Sequence, residues 1–180
     1  MVLPIGPLMI EHRLIERMIV LLKRDAERVE KGGTVDPRFV ETAVDFVRTY
    51  ADRCHHGKEE EILFRDLKKK MLTDDDRRVM GELIQEHAWG RETTRKLVAA
   101  KERYAKGDKT AIPEIVQLMK SLGDFYPRHI AKEDKVFFKP AMKYLTDSEK
   151  EQMLQEEYEF DKRFIHVVYT DIVLRAEKGL

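Results

Sequence analysis

HHGKEEEILF, residues 55–64, decides how this chain reads, because HIAKEDKVFF, residues 129–138, repeats it 74 positions later. Both runs fit His-x-x-Lys-Glu-[Glu/Asp]-x-x-x-Phe, so His55 stands four residues before Glu59, and His129 four before Glu133. Residues four apart on an α-helix share a face about one turn apart, so each pair presents an imidazole and a carboxylate to the same point. Each run is preceded by a Glu-His pair: His12, after Glu11, lies 43 residues before His55, and His87, after Glu86, lies 42 before His129. Four histidines and two carboxylates in two copies of one pattern predict ligands for a pair of metal ions, in a chain with six histidines in all.

The surrounding sequence is helical in period. His12, Ile15, Ile19, Leu22, Ala26 and Val29 step by three or four along a first helix that Lys31-Gly32-Gly33 ends. Asp36-Pro37 reads as an N-cap followed by Pro at the first helical position. The second helix then carries Val40, Val44, Val47, Ala51, His55, Glu59 and Ile62 on one stripe. Thr73 can cap a third helix with Met80, Leu83, His87, Thr94 and Leu97 on its face, and Gly107-Asp108 breaks the chain after it. A fourth helix shows Ile115, Leu118, Leu122, Tyr126, His129, Glu133 and Val136. Thr146 and Glu149 form a capping-box pair ahead of a fifth, with Met153, Phe160, Phe164, Val168 and Ile172 on its apolar side. No strand or hairpin signal is present. The expected fold is all-α: one domain over residues 1–180, an up-down-up-down antiparallel four-helix bundle with an additional C-terminal helix.

Composition narrows the function. Charged residues make up 38% and hydrophobic ones 42%, a balance suited to amphipathic helices. Lys plus Arg equals Asp plus Glu at 34 each, so no global field attracts nucleic acid or anionic lipid, and neither is an expected partner. The single Cys54 fits a reducing compartment. The opening MVLPIGPLMI is apolar but too short to span a membrane and has no basic start, so the expected location is cytoplasmic.

Imidazole nitrogen with carboxylate oxygen suits iron, manganese, zinc or copper, and disfavours calcium and magnesium, which take all-oxygen shells. The duplicated pattern divides the ligands as two histidines per ion, with both carboxylates free to bridge and an open position for a small diatomic molecule. His56 and Glu60 also stand four apart. However, Ala51, Val47 and Val44 precede His55 on an apolar stripe, whereas Asp52, Arg48 and Asp45 precede His56. His55 and Glu59 are therefore expected inside, with His56 facing water. Glu16, Glu60, Glu86 and Asp134 either orient ligand imidazoles or face solvent. Arg91, one turn after His87, either pairs with a carboxylate or lines the open site. Tyr126 either aims its hydroxyl at the pocket or packs, and Pro127 is expected to kink or bulge the fourth helix just before His129. Cys54 reads as a small buried thiol, Trp89 as packing, and His166, with no partner motif, as an ordinary helix residue.

In these motifs, over about residues 9–142, the chain resembles the hemerythrin-like, His-His-Glu cation-binding bundles. The resemblance implies a carboxylate-bridged non-haem di-iron centre, oxo- or hydroxo-bridged, with His12, His55, Glu59, His87, His129 and Glu133 as ligands and manganese or zinc as other metals. Oxygen carriers of this family have a further histidine where this chain has Arg91, and an Asp where it has Glu133. The implied activity is binding of dioxygen or nitric oxide for sensing, storage or stress response, by a monomer or homodimer. A di-iron redox enzyme or iron donor in repair of iron centres, and a zinc-filled structural or partner-binding bundle, are the alternatives.

Overall fold

A computed structural model of the chain describes residues 2–177, with the side chains of residues 2–164 and of Val168. Helix α1 spans Ile5–Glu30 and ends at Lys31, beyond which Gly32 takes φ of 95°, a left-handed conformation that glycine adopts without a Cβ penalty. Helix α2 covers residues 37–67; the Asp36 carboxylate accepts from the amides of Arg38 and Phe39 at 3.0 and 3.4 Å. Helix α3, Asp74–Ala105, starts where the Thr73 hydroxyl accepts from the Asp76 amide at 3.2 Å. Helix α4 covers residues 109–144, and α5 spans Asp147–Glu177. The start of α5 is a reciprocal box: the Thr146 amide donates to Glu149 at 2.8 Å and the Glu149 amide to the Thr146 hydroxyl at 3.2 Å. Among the described residues there is no strand, and no helix is long and apolar enough to cross a membrane.

Helices α1 and α2, α2 and α3, and α3 and α4 pack in sequence, and α4 returns to α1 to close the bundle. Its core is divided in two. One cluster gathers Ile15, Ile19 and Leu22 of α1 with Val40 and Val44 of α2, Leu97 of α3, and Ile115 and Met119 of α4. The other gathers Ile5 and Leu8 of α1, Ile62 and Phe64 of α2, Leu83 of α3 and Phe137 and Phe138 of α4. Along α1 the second cluster precedes the first, along α2 the order reverses, and it alternates again through α3 and α4. Polar side chains fill the layer between.

Two helices widen at that layer. α2 winds as a π-helix over Val47–His56 and again over Glu59–Leu63, and α4 does so over Glu133–Phe137. Bonding to the fifth rather than the fourth residue advances the chain less around the axis per residue, so neighbouring residues can both face inward. This corrects two sequence expectations. His56 is buried at 2% exposure beside His55 rather than facing water. Val136 is 52% exposed, and Phe137 and Phe138 occupy the core in its place. Pro127 does not interrupt α4: the α-helix runs unbroken over Ile112–Lys132, and the irregular winding begins at Glu133, after His129. The side chains of His166 and Ile172 lie outside the described residues.

Helix α5 lies against the Glu59–Leu63 turn of α2. Met153 is buried there, Glu156 pairs with Arg65 at 2.6 Å, and Phe160 sits so close to Gly57 that a Cβ added to the glycine would lie 2.9 Å from its ring. Beneath the same helix Glu157 is 1% exposed, and neither of its carboxyl oxygens has a hydrogen-bond partner. Burial, only partly offset by Lys58, pushes its carboxyl up to about 8. A carboxyl raised in the folded state costs nothing while it is protonated in both states and progressively more as pH climbs from its unfolded value towards its folded one. Stability should therefore fall between about pH 4.5 and pH 8, by at most about 5 kcal/mol. Chemical unfolding followed by circular dichroism across this range should show that fall, and Glu157→Gln should flatten it. Equal slopes for the two proteins would refute the assignment.

Candidate metal centre

Seven polar side chains fill the layer between the apolar clusters: His12 of α1, His55, His56 and Glu59 of α2, His87 of α3, and His129 and Glu133 of α4. None exceeds 2% exposure. All six residues singled out by the repeated motif thus converge on one place, joined by His56. Donor atoms of His12, His55, Glu59 and Glu133 lie within 4.8 Å of one another, as do those of His56, His87 and His129.

The two carboxylates span both groups. Glu59 sets Oε1 3.4 Å from Nε2 of His55 and Oε2 3.3 Å from Nε2 of His87. Glu133 sets Oε2 3.2 Å from Nε2 of His12 and Oε1 3.2 Å from Nε2 of His129. Yet Nε2 of His12, His55, His87 and His129, and all four oxygens of Glu59 and Glu133, are buried without a geometrically sound hydrogen bond. Buried polar atoms left this way cost about 1–3 kcal/mol each, so eight converging on one point are the mark of a site built for something else. Imidazoles and carboxylates gathered in this number fit a transition-metal ion.

The outer nitrogens are fully engaged, and in a closed order. Nδ1 of His55 donates to Glu11 of α1 at 2.8 Å; Nδ1 of His87 donates to Glu60 of α2 at 2.7 Å. His129 donates to Glu86 of α3 at 2.8 Å, and His12 to Asp134 of α4 at 2.8 Å. Each helix therefore offers an imidazole to the centre and a carboxylate to the next helix round the bundle. Every carboxylate is in turn met by a cation: Lys58 on Glu11, Arg91 on Glu60 at 2.7 Å, Lys132 on Glu86 at 2.5 Å and Arg13 on Asp134 at 2.5 Å. Aromatic rings close the layer. The terminal Phe of each motif stacks on a histidine of another helix, Phe64 on His87 at 6.0 Å and Phe138 on His12 at 5.7 Å. Every fixed letter of the repeat therefore has a contact at this layer.

The electrostatics follow from this geometry. Burial, with Glu133 opposite, pushes Glu59 well above the ordinary carboxylate range. Burial acts likewise on Glu133, but the imidazoles of His129, His12 and His87 outweigh it and hold that carboxyl well below. Burial lowers His55 to about 4 despite Glu11, whereas Glu133 and Glu86 overcome burial to hold His129 up at about 9. The two carboxyls are thus pulled apart, Glu59 up and Glu133 down, by the imidazoles that face Glu133.

Of the residues left open by the sequence, Glu60, Glu86 and Asp134 orient imidazoles, while Glu16 pairs with Arg13 at 3.1 Å on the surface. Arg91 turns away from the centre and bonds Asp52 at 2.6 Å as well as Glu60. Tyr126 is buried beside His56, ring centroids 6.5 Å apart, at the floor of a 380 Å³ cavity lined also by Arg91, Thr94 and Val98. Cys54 is buried, its Sγ 3.5 Å from Asp161, and burial pushes its thiol up to about 12, which leaves it protonated and unreactive. Trp89 is 43% exposed and tilts against Phe125. Sequence reasoning missed three residues. Glu11 hid as the companion of His12. Lys58, wholly buried between Glu11 and Asp161 of α5, reads in sequence as a surface charge. His56 was masked by the change in helical winding.

The model of the hemerythrin HHE cation-binding domain matches residues 3–141. Curated relatives include the uncharacterized protein Rv1995 of Mycobacterium tuberculosis and the uncharacterized protein Mb2018 of Mycobacterium bovis. Each is 24% identical over 169 residues, covering 92% of this chain and 64% of the relative. The chain therefore spans under two thirds of the length of the curated relatives it matches. No solved structure matches it. On the strength of the family match over most of its length, the chain belongs to the hemerythrin HHE cation-binding family.

Proposed function

We propose that this chain holds a carboxylate-bridged, non-haem di-iron centre on His12, His55, Glu59, His87, His129 and Glu133, and uses it to bind dioxygen or nitric oxide for sensing, storage or stress response in the cytoplasm. One observation carries this reading: each of two buried carboxylates directs one oxygen to each imidazole group, and none of those oxygens has a hydrogen bond. A single ion would leave no reason for both carboxylates to be split in this way. The alternation of the two apolar clusters along successive helices supports an up-down-up-down antiparallel order, which sets the four histidines at one level.

Iron bound there supplies reversible redox chemistry and free coordination positions for a small ligand. The protein's part is positional. Each Nδ1–H given to a carboxylate fixes its ring and leaves the Nε2 lone pair inward, which raises the basicity of that nitrogen. The apolar clusters above and below keep bulk water from the layer.

Protein produced with ample iron should contain about two iron ions per chain and show oxo-to-iron absorption bands in air that change on anaerobic exposure to nitric oxide. Elemental analysis showing zinc, or no metal, would overturn the reading. Glu133→Ala should remove a bridging carboxylate and leave one iron or fewer. Glu86→Ala should instead keep the stoichiometry and weaken binding by about 10- to 100-fold in competition with a chelator. If Glu86→Ala bound iron as tightly as the parent, the ring of orienting carboxylates would have no part in holding metal.

A further inference from the structure

We propose that the 380 Å³ cavity floored by Tyr126 binds a small organic carboxylate, one with an apolar body and an oxygen at its far end. Such binding does not depend on which metal the polar layer holds. The cavity follows from the helices that wall it. Val47, Asp52 and His56 face it from α2, where π winding sets residues five apart, as well as four apart, on one side. Gly90, Thr94 and Val98 face it from α3 at steps of four, and Gly90 leaves that stripe without a side chain at its start. A volume of this size falls within the range of small-molecule sites, about 300–1,000 Å³.

The lining divides into an apolar interior and a cationic mouth. Val47 and Tyr126 are buried, whereas Arg48, Arg53, Arg91 and Arg95 are exposed. These four arginines stand against one lining carboxylate, Asp52, which Arg91 holds at 2.6 Å. Arg95 is engaged by Glu92 at 2.7 Å, and Arg53 lies over the ring of Phe164 at 5.8 Å. Arg48 has no hydrogen bond or ion pair among the described residues, so its fork of donors is open to a carboxylate. Inside, the Thr94 hydroxyl is spent on the Gly90 carbonyl at 2.8 Å. The Tyr126 hydroxyl has no hydrogen-bond partner among the described residues, although the residue is only 2% exposed. Burial, with Asp52 and Glu133 nearby, pushes its phenol up, so it stays a donor. A buried donor left unpaired is costly, and an oxygen on an occupant relieves that cost.

The test is calorimetric titration of the full chain with 4-hydroxybenzoate, with metal content measured on the same samples. One molecule per chain should bind, and Arg48→Glu should weaken it about 10-fold or more. Val98→Phe, which narrows the cavity without touching a charge, should abolish saturable binding. Tyr126→Phe should weaken 4-hydroxybenzoate about 5- to 10-fold and leave benzoate, which has no far oxygen, unchanged. A merely structural role for Tyr126 would weaken both acids alike. Sulfate bound as tightly as the acid would reduce the site to a surface cluster of arginines, and 4-hydroxybenzamide bound as tightly would reduce it to an apolar void. Either result would overturn the proposal, as would an unsaturable parent chain or unchanged affinity in Arg48→Glu. Arg48, Val98 and Tyr126 are outside the metal ligand set, so metal content should be the same in all variants. A parent chain without iron that still bound the acid would sink the di-iron reading and leave this one standing.

Discussion

The contact on which everything else in this molecule depends is a hydrogen bond between an imidazole Nδ1–H of one helix and a carboxylate of its neighbour, made four times around the bundle. A layer of seven buried polar side chains across the middle of a core would ordinarily be ruinous. Here every outer nitrogen is satisfied, every orienting carboxylate is met by a lysine or arginine, and only the inward atoms remain without partners. Burial raises Glu11, Glu60 and Glu86, yet all three are held below the ordinary carboxylate range by the imidazoles and cations against them. The order is cyclic, so displacing one helix would cost that helix two of the four bonds. Packing of the apolar clusters fixes the helices side by side, while this ring fixes their relative height.

Much of this was legible in sequence, and the reason is that local chemistry is read locally. Asp36, Thr73 and the Thr146–Glu149 box announced helix starts because capping depends on three or four consecutive residues. The His55–Glu59 and His129–Glu133 pairs announced the buried polar layer because spacing four is preserved well enough even where the winding loosens. What could not be read was the winding itself. A π turn has the same composition as an α turn and is selected by what the side chains meet across the bundle. His56 and Val136 were misplaced by the same cause, one turned inward and the other outward by a local change of pitch. Glu11 and Lys58 were missed for another reason: their partners, His55 and Asp161, lie on other helices far away in sequence.

The repeated motif makes the two halves similar without making them equal. Lys58 and Lys132 occupy the same place in the repeat, and both support the carboxylate behind a histidine. Lys132 finds its second partner within the bundle, in Glu82 at 3.1 Å, but Lys58 finds it in Asp161 on α5. Among the described residues, the fifth helix is thus wired to the support of His55 and not to that of His129. Phe160 against Gly57 and Glu156 on Arg65 place it over the same half. Together with His56, whose place in the second half is taken by Ile130, and Arg91, whose place in the first half is taken by Glu16, these contacts give two geometrically related ligand groups distinct surroundings.

The division of the core has one more consequence. Each apolar cluster draws on all four bundle helices, and each is complete on its own side of the polar layer. Two such bodies joined by a stratum of inward-facing polar atoms without hydrogen-bond partners would open at different free energies, as separate cooperative units. Ions seated between them would bind residues from every helix at once and couple the two openings into one. The layer would then act as a rivet, and the two clusters would open together when it is filled.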